Sequence, residues 1–531
     1  MITWINEKSG RKVIAKTNGK SGRRGVRGIL LPLTSYLLPL TSYLLPLTSY
    51  LLPLTSYLSP LIFLLLSCTP MPENVQQSNE LPPVYPDYCD VTIPENIAPL
   101  NFLLRADCEA IEVKAGELTL NASGNEAVFD IDDWKTLMQQ SKDKEIEVTV
   151  TALINGVWKQ YRPFKWLVVS DKVDPYLTYR LIEPDYEIWN NVQIQQRCVE
   201  NFDVSALGHY EQLENRCMNC HTFANQDPQL SMMYVRGPGG GAILNQHGQL
   251  SKLDIPGSVY FGFSPSGRYI TYSTQKIIPA FHSLPAKRLE VYDAESNVYV
   301  ADMQTHRVIS SPLLSDSLKF ETFPTFSPDG KYIYYCVADS VSLPSKIRDL
   351  QYRLVRIPFD ESTGTIGTHV DTLVSSHLSP LTSHHSSVCH PRISPDGRYL
   401  LYTVADYGTF PIWHPEADLQ LMDLQTGAID TLAVVNSGKS DTYHSWSSSS
   451  RWFVFASKRD DGLYGKPYFC YIGKDGKAHK PFCLPQEHPT FYDNNLKSFN
   501  APELGKGKVP FDVDDVAKAM KQKAINFLGT D

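Results

Sequence analysis

Between residues 144 and 169 apolar and polar positions alternate: Ile146, Val148 and Val150 are spaced by polar residues, Asn155-Gly156 interrupts them, and a second alternating run returns from Val157 to Val169. Alternation on both sides of Asn-Gly predicts a β-hairpin, because that dipeptide accepts the positive φ of a tight turn. The runs "NFLLRAD", "AIEVKAGELTLNA" and "AVFDID" precede it. Residues 89–170 are therefore expected to form a small β-sandwich, with one short helix near Trp134 to Gln140. From 171 to 235 the alternation is lost in aromatic and amide-rich text, which reads as short helices. From 236 onward strands are expected again, after the glycine cluster "RGPGGGAI". That cluster is not a P-loop, since no Gly-Lys-Ser/Thr follows it.

The second half of the chain repeats itself. "FGFSPSGRYITYS" (261–273), "PTFSPDGKYIYYC" (324–336), "PRISPDGRYLLYT" (391–403) and "HSWSSSSRWFVFAS" (444–457) are one motif written four times. In each, a Ser closes one strand, a turn follows, and a cation-aromatic pair or its equivalent opens the next strand. The anchor serines Ser264, Ser327, Ser394 and Ser447 are 63, 67 and 53 residues apart. A blade takes about 40–50 residues, so insertions are expected at 277–288 and 376–388. A recurring unit of about four strands is a propeller blade. The Ser-Pro-Asp-Gly-Arg/Lys-Tyr pattern resembles the TolB-like (WD40-like) propeller repeats over roughly residues 250–490. The fourth copy departs from it by losing Pro-Asp-Gly. The resemblance implies a mainly β chain whose residues 236–495 form a propeller of about 5–7 blades, followed by a tail (496–531) with one amphipathic helix, "DVDDVAKAMKQKAINFL".

The start of the chain bears on compartment. Its first 28 residues carry eight Lys or Arg against one acid, Glu7, and an uncharged run then extends to Ser67. Inside that run "LLPLTSY" occurs four times, with Pro32, Pro39, Pro46 and Pro53 each removing a backbone donor. The prolines argue against a retained membrane-spanning helix, and the repeat reads as a low-complexity tract. Leu65-Leu66-Ser67-Cys68 resembles a bacterial lipobox, which implies that residues 1–67 are a signal and that Cys68 carries the lipid. Thr69 after it points, in the sorting pattern of that group, to an outer-membrane lipoprotein, periplasm-facing or surface-exposed. An uncleaved anchor and a misplaced start codon are the alternatives. Residues 68–88, rich in proline, read as a tether. Removing residues 1–67 takes away eight basic residues and one acid and leaves a formal charge of −15. So acidic a chain is a poor nucleic-acid binder.

The sharpest chemical signal is "RCMNCHTF". Cys217, Cys220 and His221 have the Cys-x-x-Cys-His spacing of a covalent haem c site, in which two thiols bond the porphyrin and the imidazole, His221, ligates the haem iron. Met232 and Met233, 11 and 12 residues further on, are candidate sixth ligands; alternation would turn just one of them toward the iron, and Met233 is preferred. His209 and His247 are further candidates. A zinc site, a redox dithiol and a plain disulfide are the rival readings. Together with the propeller repeats, the motif resembles a group of bacterial envelope lipoproteins that join a cytochrome-c-type motif to a TolB-like propeller. The resemblance implies electron transfer with an envelope redox partner. The alternative is a periplasmic adaptor that binds a protein or glycan, with the Cys217 loop structural. His384, His385, Cys389 and His390 suggest a metal on paper but fall in or beside a Ser-rich insertion. No Gly-x-Ser-x-Gly elbow occurs.

Overall fold

The computed structural model describes residues 71–183, 191–255, 257–284, 287–375 and 386–529, without the side chains of 281–288. Cys68, the LLPLTSY run, His384 and His385 lie outside them. The described residues are mainly β, with 49% strand and 7% helix, and residues Thr69–Asp531 form one unit.

The N-terminal part has a seven-stranded and a three-stranded sheet. The predicted hairpin is present as Lys144–Ile154 and Val157–Gln160, with Ile154 opposite Val157. Helix α1 (Ile131–Gln140) starts earlier than the sequence suggested because Asp130 caps it, accepting from the backbone N–H of Asp132 and Asp133. It packs Trp134 against Trp166, ring centroids 5.4 Å apart. Each indole has a partner: Trp134 Nε1 donates to the Ile97 carbonyl at 2.9 Å and Trp166 Nε1 to that of Tyr88 at 2.8 Å. Burying two such side chains stabilises the fold by about 4–6 kcal/mol each as an upper bound. The expected tether joins in: Gln76–Gln77 pairs with Lys159 and Gln160, and Val84–Tyr85 with Leu103 and Leu104.

Six antiparallel sheets follow. Their first strands are β1 (Met218–Ala224), β2 (Ser258–Phe263), β3 (Lys319–Phe326), β4 (Ser387–Ile393), β5 (Asp441–Trp446) and β6 (Ser498–Gly505). Each packs against the next, and β6 returns to β1, so the six inner strands close a ring. The repeat motif is the turn from an inner strand to its neighbour. In three copies the backbone N–H of the motif's Tyr donates to the serine oxygen: Tyr269 to Ser264 (3.1 Å), Tyr332 to Ser327 (3.0 Å) and Tyr399 to Ser394 (2.9 Å). In the fourth, Ser447 accepts instead from the backbone of Asp174 (3.0 Å), tying the ring to the N-terminal part. One hydrophobic cluster runs through this junction, from Trp134 and Trp166 to Trp452, Phe453 and Phe499.

The helical segment expected at 171–235 is instead strand: Tyr176–Ile182, Gln193–Cys198, Val204–His209, β1 and Asp227–Val235. The first three complete the sheet begun by β6, so the ring starts before residue 236 and ends inside the expected tail. The alternation was hidden because Gln196 and Arg197 occupy buried positions. Gln196 donates to Thr178 Oγ1 and accepts from the Val509 N–H, and Arg197 donates from both terminal nitrogens to Gln486 Oε1 and the Pro485 carbonyl, leaving only its Nε without a partner among the described residues. Helix α2 (Val513–Met520), opened by a capping box at Asp512 and Asp515, ends earlier than expected, and Ile525–Asn526 and Leu528–Gly529 add short edge strands to two sheets.

Candidate functional site

Every inner strand has a non-glycine residue with positive φ: Cys220 (51°), Tyr260 (54°), Phe323 (53°), His390 (53°), Tyr443 (48°) and Ala501 (47°). At each of them the register with the second strand shifts, the mark of a β-bulge. A left-handed residue of this kind costs about 1–3 kcal/mol, and six at equivalent places are a repeated construction. In four strands the bulged residue stands four positions before the anchor serine: Tyr260 before Ser264, Phe323 before Ser327, His390 before Ser394 and Tyr443 before Ser447. The bulges turn these side chains toward one another. Ring centroids are 4.4 Å apart for Tyr260 and Phe323, 4.0 Å for Phe323 and His390, and 4.7 Å for His390 and Tyr443. The Tyr260 N–H donates to Cys220 Sγ at 3.4 Å, which brings the thiol into the same layer.

The Cys-x-x-Cys-His motif is thus written on an inner strand. Cys217 precedes β1, half-buried, its carbonyl accepting from the Arg236 N–H at 2.8 Å. Cys220 occupies the bulge and packs with the cluster of Met232, Tyr234 and Phe261. His221 follows it in the ladder, with Met233 as its cross-strand partner. Met233 belongs to a different cluster, with Ile194, Leu207 and Met218. Alternation therefore sends Met232 and Met233 to opposite faces, whereas Cys220, at the bulge, has no cross-strand partner. Beside His221, Met232 and Met233 lies a void of about 10 Å³, room for a single water.

These residues do not fit a covalent haem. One porphyrin would have to meet the Cys220 thiol and the His221 imidazole together, whereas Cys220 packs with Met232, Tyr234 and Phe261 and the void beside His221 is only about 10 Å³. An axial methionine must face the histidine across the ring plane, but His221 and Met233 are side-by-side neighbours in one sheet. Cys217, Cys220, His221, Met232 and Met233, expected as a haem site, are here residues of one strand pair and the turn before it. His209 ends a strand, and His247 lies exposed in a hairpin turn. Cys389, on β4, donates to the Gly408 carbonyl at 3.6 Å. Among the described residues no group of three or more His, Cys, Asp or Glu is placed to hold a metal ion.

What surrounds Cys220 is basic. Arg180, Arg236 and Arg392 come from three different sheets, and all three draw the thiol's pKa down, as does the Tyr260 N–H, though burial raises it on balance. Arg180 donates to Asn219 Oδ1 and, at 3.1 Å, to Asn500 Oδ1. Arg392 donates to the Pro391 carbonyl at 3.2 Å; burial lowers its pKa, and the nearby Glu503 carboxylate acts against that. Glu503 is the neighbouring acid. Its Oε1 accepts from Thr222 Oγ1 (3.1 Å) and the Phe223 N–H (3.0 Å), yet burial pushes its pKa up to about 7. His221 is held neutral, its pKa lowered to about 4 by burial and by Arg180. Cys220, Tyr260, Arg392, Tyr443 and Glu503 all keep part of their surface accessible while desolvation dominates their titration. These five side chains are half-buried. Sequence reading found Cys220 for another reason and missed the arginines; the four-residue offset from the anchor serines was the available signal.

No protein-family model and no curated protein matches the chain. Among solved structures it is similar to one from a study of two prolyl endopeptidases (13% identity, 59% of this chain and 42% of that one, TM-score 0.32). It is also similar to a puromycin-hydrolysing peptidase of Mycobacterium tuberculosis (11% identity, 75% and 57%, TM-score 0.31) and to a DUF4784 family protein from Bacteroides caccae (10% identity, 66% and 96%, TM-score 0.28). The chain spans about half the length of the two peptidases. Likenesses of this size carry no argument about activity.

Proposed function

We propose that this chain is an envelope-anchored binding protein: a TolB-like propeller of six blades, held to the membrane by a lipid on Cys68, that recognises a protein or glycan partner without haem. The observation that carries the reading is the place of the Cys-x-x-Cys-His motif inside the pleat of an inner strand, where Cys220 packs the axis and His221 stays neutral between strands. In that setting the motif serves architecture. The closed ring, with its rigid inner layer and accessible axial space, supplies a preformed recognition surface.

The test is an absorption spectrum of the full chain produced alongside a c-type cytochrome maturation system, together with peroxidase staining after denaturing electrophoresis. The expected result is a colourless protein with both thiols of the motif unmodified. A Soret band that survives denaturation would overturn the reading and restore electron transfer. Lipidation is tested separately: labelled palmitate should enter the wild-type chain and fail to enter Cys68→Ala.

A further inference from the structure

The insertion expected at 277–288 is an arm. The strand that follows β2, Tyr269–Leu284, keeps register with β2 only as far as Thr274, opposite Ser258. Its other neighbour, Lys287–Asp302, stays paired with it out to Leu284 and Lys287. Residues 275–284 and 287–296 therefore run past the end of the blade as a two-stranded ribbon. A ribbon of two strands is marginal in water by itself, so the groups that hold it decide where it lies.

Two carboxyl groups hold it. Glu290 Oε2 accepts from Tyr407 Oη at 2.7 Å, and its Oε1 lies 3.5 Å from His414 Nε2, while His414 Nδ1 meets Glu416 Oε1 at 2.7 Å. Asp293 Oδ2 accepts from Thr409 Oγ1 at 2.9 Å and from Tyr352 Oη at 3.2 Å. Tyr407, Thr409 and His414 follow Tyr399–Ala405 in the sheet of β4, and Tyr352 leads into Arg353–Asp360 in the sheet of β3. An arm rooted in the sheet of β2 thus reaches across one neighbouring sheet to the next. Glu290, Asp293, Tyr352, Thr409 and His414 are all 2% exposed or less. Asp293 Oδ1 has no hydrogen-bond partner, and no cation pairs with Asp293 among the described residues. The other titratable groups its charge reaches are Tyr260 on β2 and Cys389 on β4, while Arg348 and Glu416 act on Tyr407. On the arm itself Lys276 and Glu295 form an exposed pair at 3.3 Å.

A buried carboxyl with two hydroxyl donors and no cation is costly when ionised and far less so when protonated. Burial accordingly pushes Asp293 up to about 7 from the ordinary 3.8, against the hydroxyls of Thr409 and Tyr352. The docked arm binds this proton more tightly than an arm swung into solvent. The contribution of Asp293 to docking is therefore complete below its ordinary value and is lost as pH rises through about 7, the docking equilibrium weakening by up to about tenfold per pH unit in between. We propose that the arm is a pH-operated strap, clasped to the sheets of β3 and β4 while Asp293 carries a proton and loosened when both carboxyl groups are ionised. The strap needs no particular ligand, so it goes beyond the binding reading without resting on it.

Hydrogen exchange of the full chain at about pH 5.5, 7 and 8.5, corrected for the intrinsic exchange rate and read by mass spectrometry, tests it. The backbone amides of residues 289–296 and 406–416 are expected to lose about tenfold or more in protection between the first and the last of these values, while those of β5 keep theirs. Asp293→Asn retains an oxygen for the two hydroxyls but cannot ionise, so its protection should stay high throughout. Equal corrected protection at the two extremes in the wild-type chain, or an undiminished pH dependence in Asp293→Asn, would overturn the proposal. If Asp293→Asn fails to fold, Thr409→Val takes its place. It removes a donor that favours the ionised carboxylate, so the midpoint of the wild-type transition must move to higher pH, and an unmoved midpoint overturns the proposal equally.

Discussion

The N-terminal sheets and the ring axis are both built from buried aromatic side chains, but they treat polar atoms in opposite ways. Around α1 the two indole N–H groups are each directed onto a backbone carbonyl, and the surrounding cluster is apolar. On the axis, His390 Nε2, Arg180 Nε and His221 Nε2 go without partners, and each inner strand bends through a left-handed residue. In the first region the indoles are satisfied and the Tyr88 hydroxyl among them is the exception; on the axis the unpartnered atoms belong to imidazole and guanidinium groups.

The contrast can be broken experimentally. The largest effect is expected at Trp166→Ala, which should destabilise the fold by about 3–5 kcal/mol, read from denaturant unfolding. Loss below 1 kcal/mol would mean that the N-terminal core is not packed as described. At the strand facing the motif, Met233→Leu should cost under about 1.5 kcal/mol because it conserves volume, whereas Met233→Ala should cost about 2–5 kcal/mol. Equal effects of the two would point to a role for the sulfur itself. A further effect appears as a slope. Glu503 titrates in the fold at about 7 against an ordinary 4.5, so the folded state binds this proton more tightly, and its contribution to stability falls as pH rises from 4.5 to about 7. His221 works the other way, its contribution falling as pH drops from 6.5 toward about 4. Glu503→Gln should therefore gain stability relative to wild type as pH is raised through 4.5–7, in thermal melts across that range; a flat difference would place Glu503 in water.

Much of the ring was legible because Ser264, Ser327, Ser394 and Ser447 each sit at a local turn whose hydrogen bonds span five residues. Local chemistry leaves a local signature. The sheet that closes the ring was not legible. Gln196 and Arg197 are polar yet buried, and their partners are hundreds of positions away: Gln486 for Arg197 and Val509 for Gln196. β6, "SFNAPELG", carries Pro502 and reads as loop, because a proline is tolerated in a strand at a bulge such as the one next to Ala501. The motif at Cys217 was misread for a related reason. Spacing reports which residues are close along the chain, while the faces on which Cys220 and His221 fall are set by pairing with Asp227–Val235.

The closing sheet also bears on how the molecule is made. Arg180 and Asn500, which meet in it, are separated by 320 residues, and such a distant closure weighs little on equilibrium stability, about 0.6 kcal/mol for each doubling of loop length. It weighs on timing. Until β6 has been synthesised and has paired with Tyr176–Ile182, that strand has a bare edge open to pairing with other chains. A nascent chain therefore passes through a long interval as an open arc, and chaperone dependence and aggregation during biogenesis should scale with that interval more than with the strength of any contact in the finished ring.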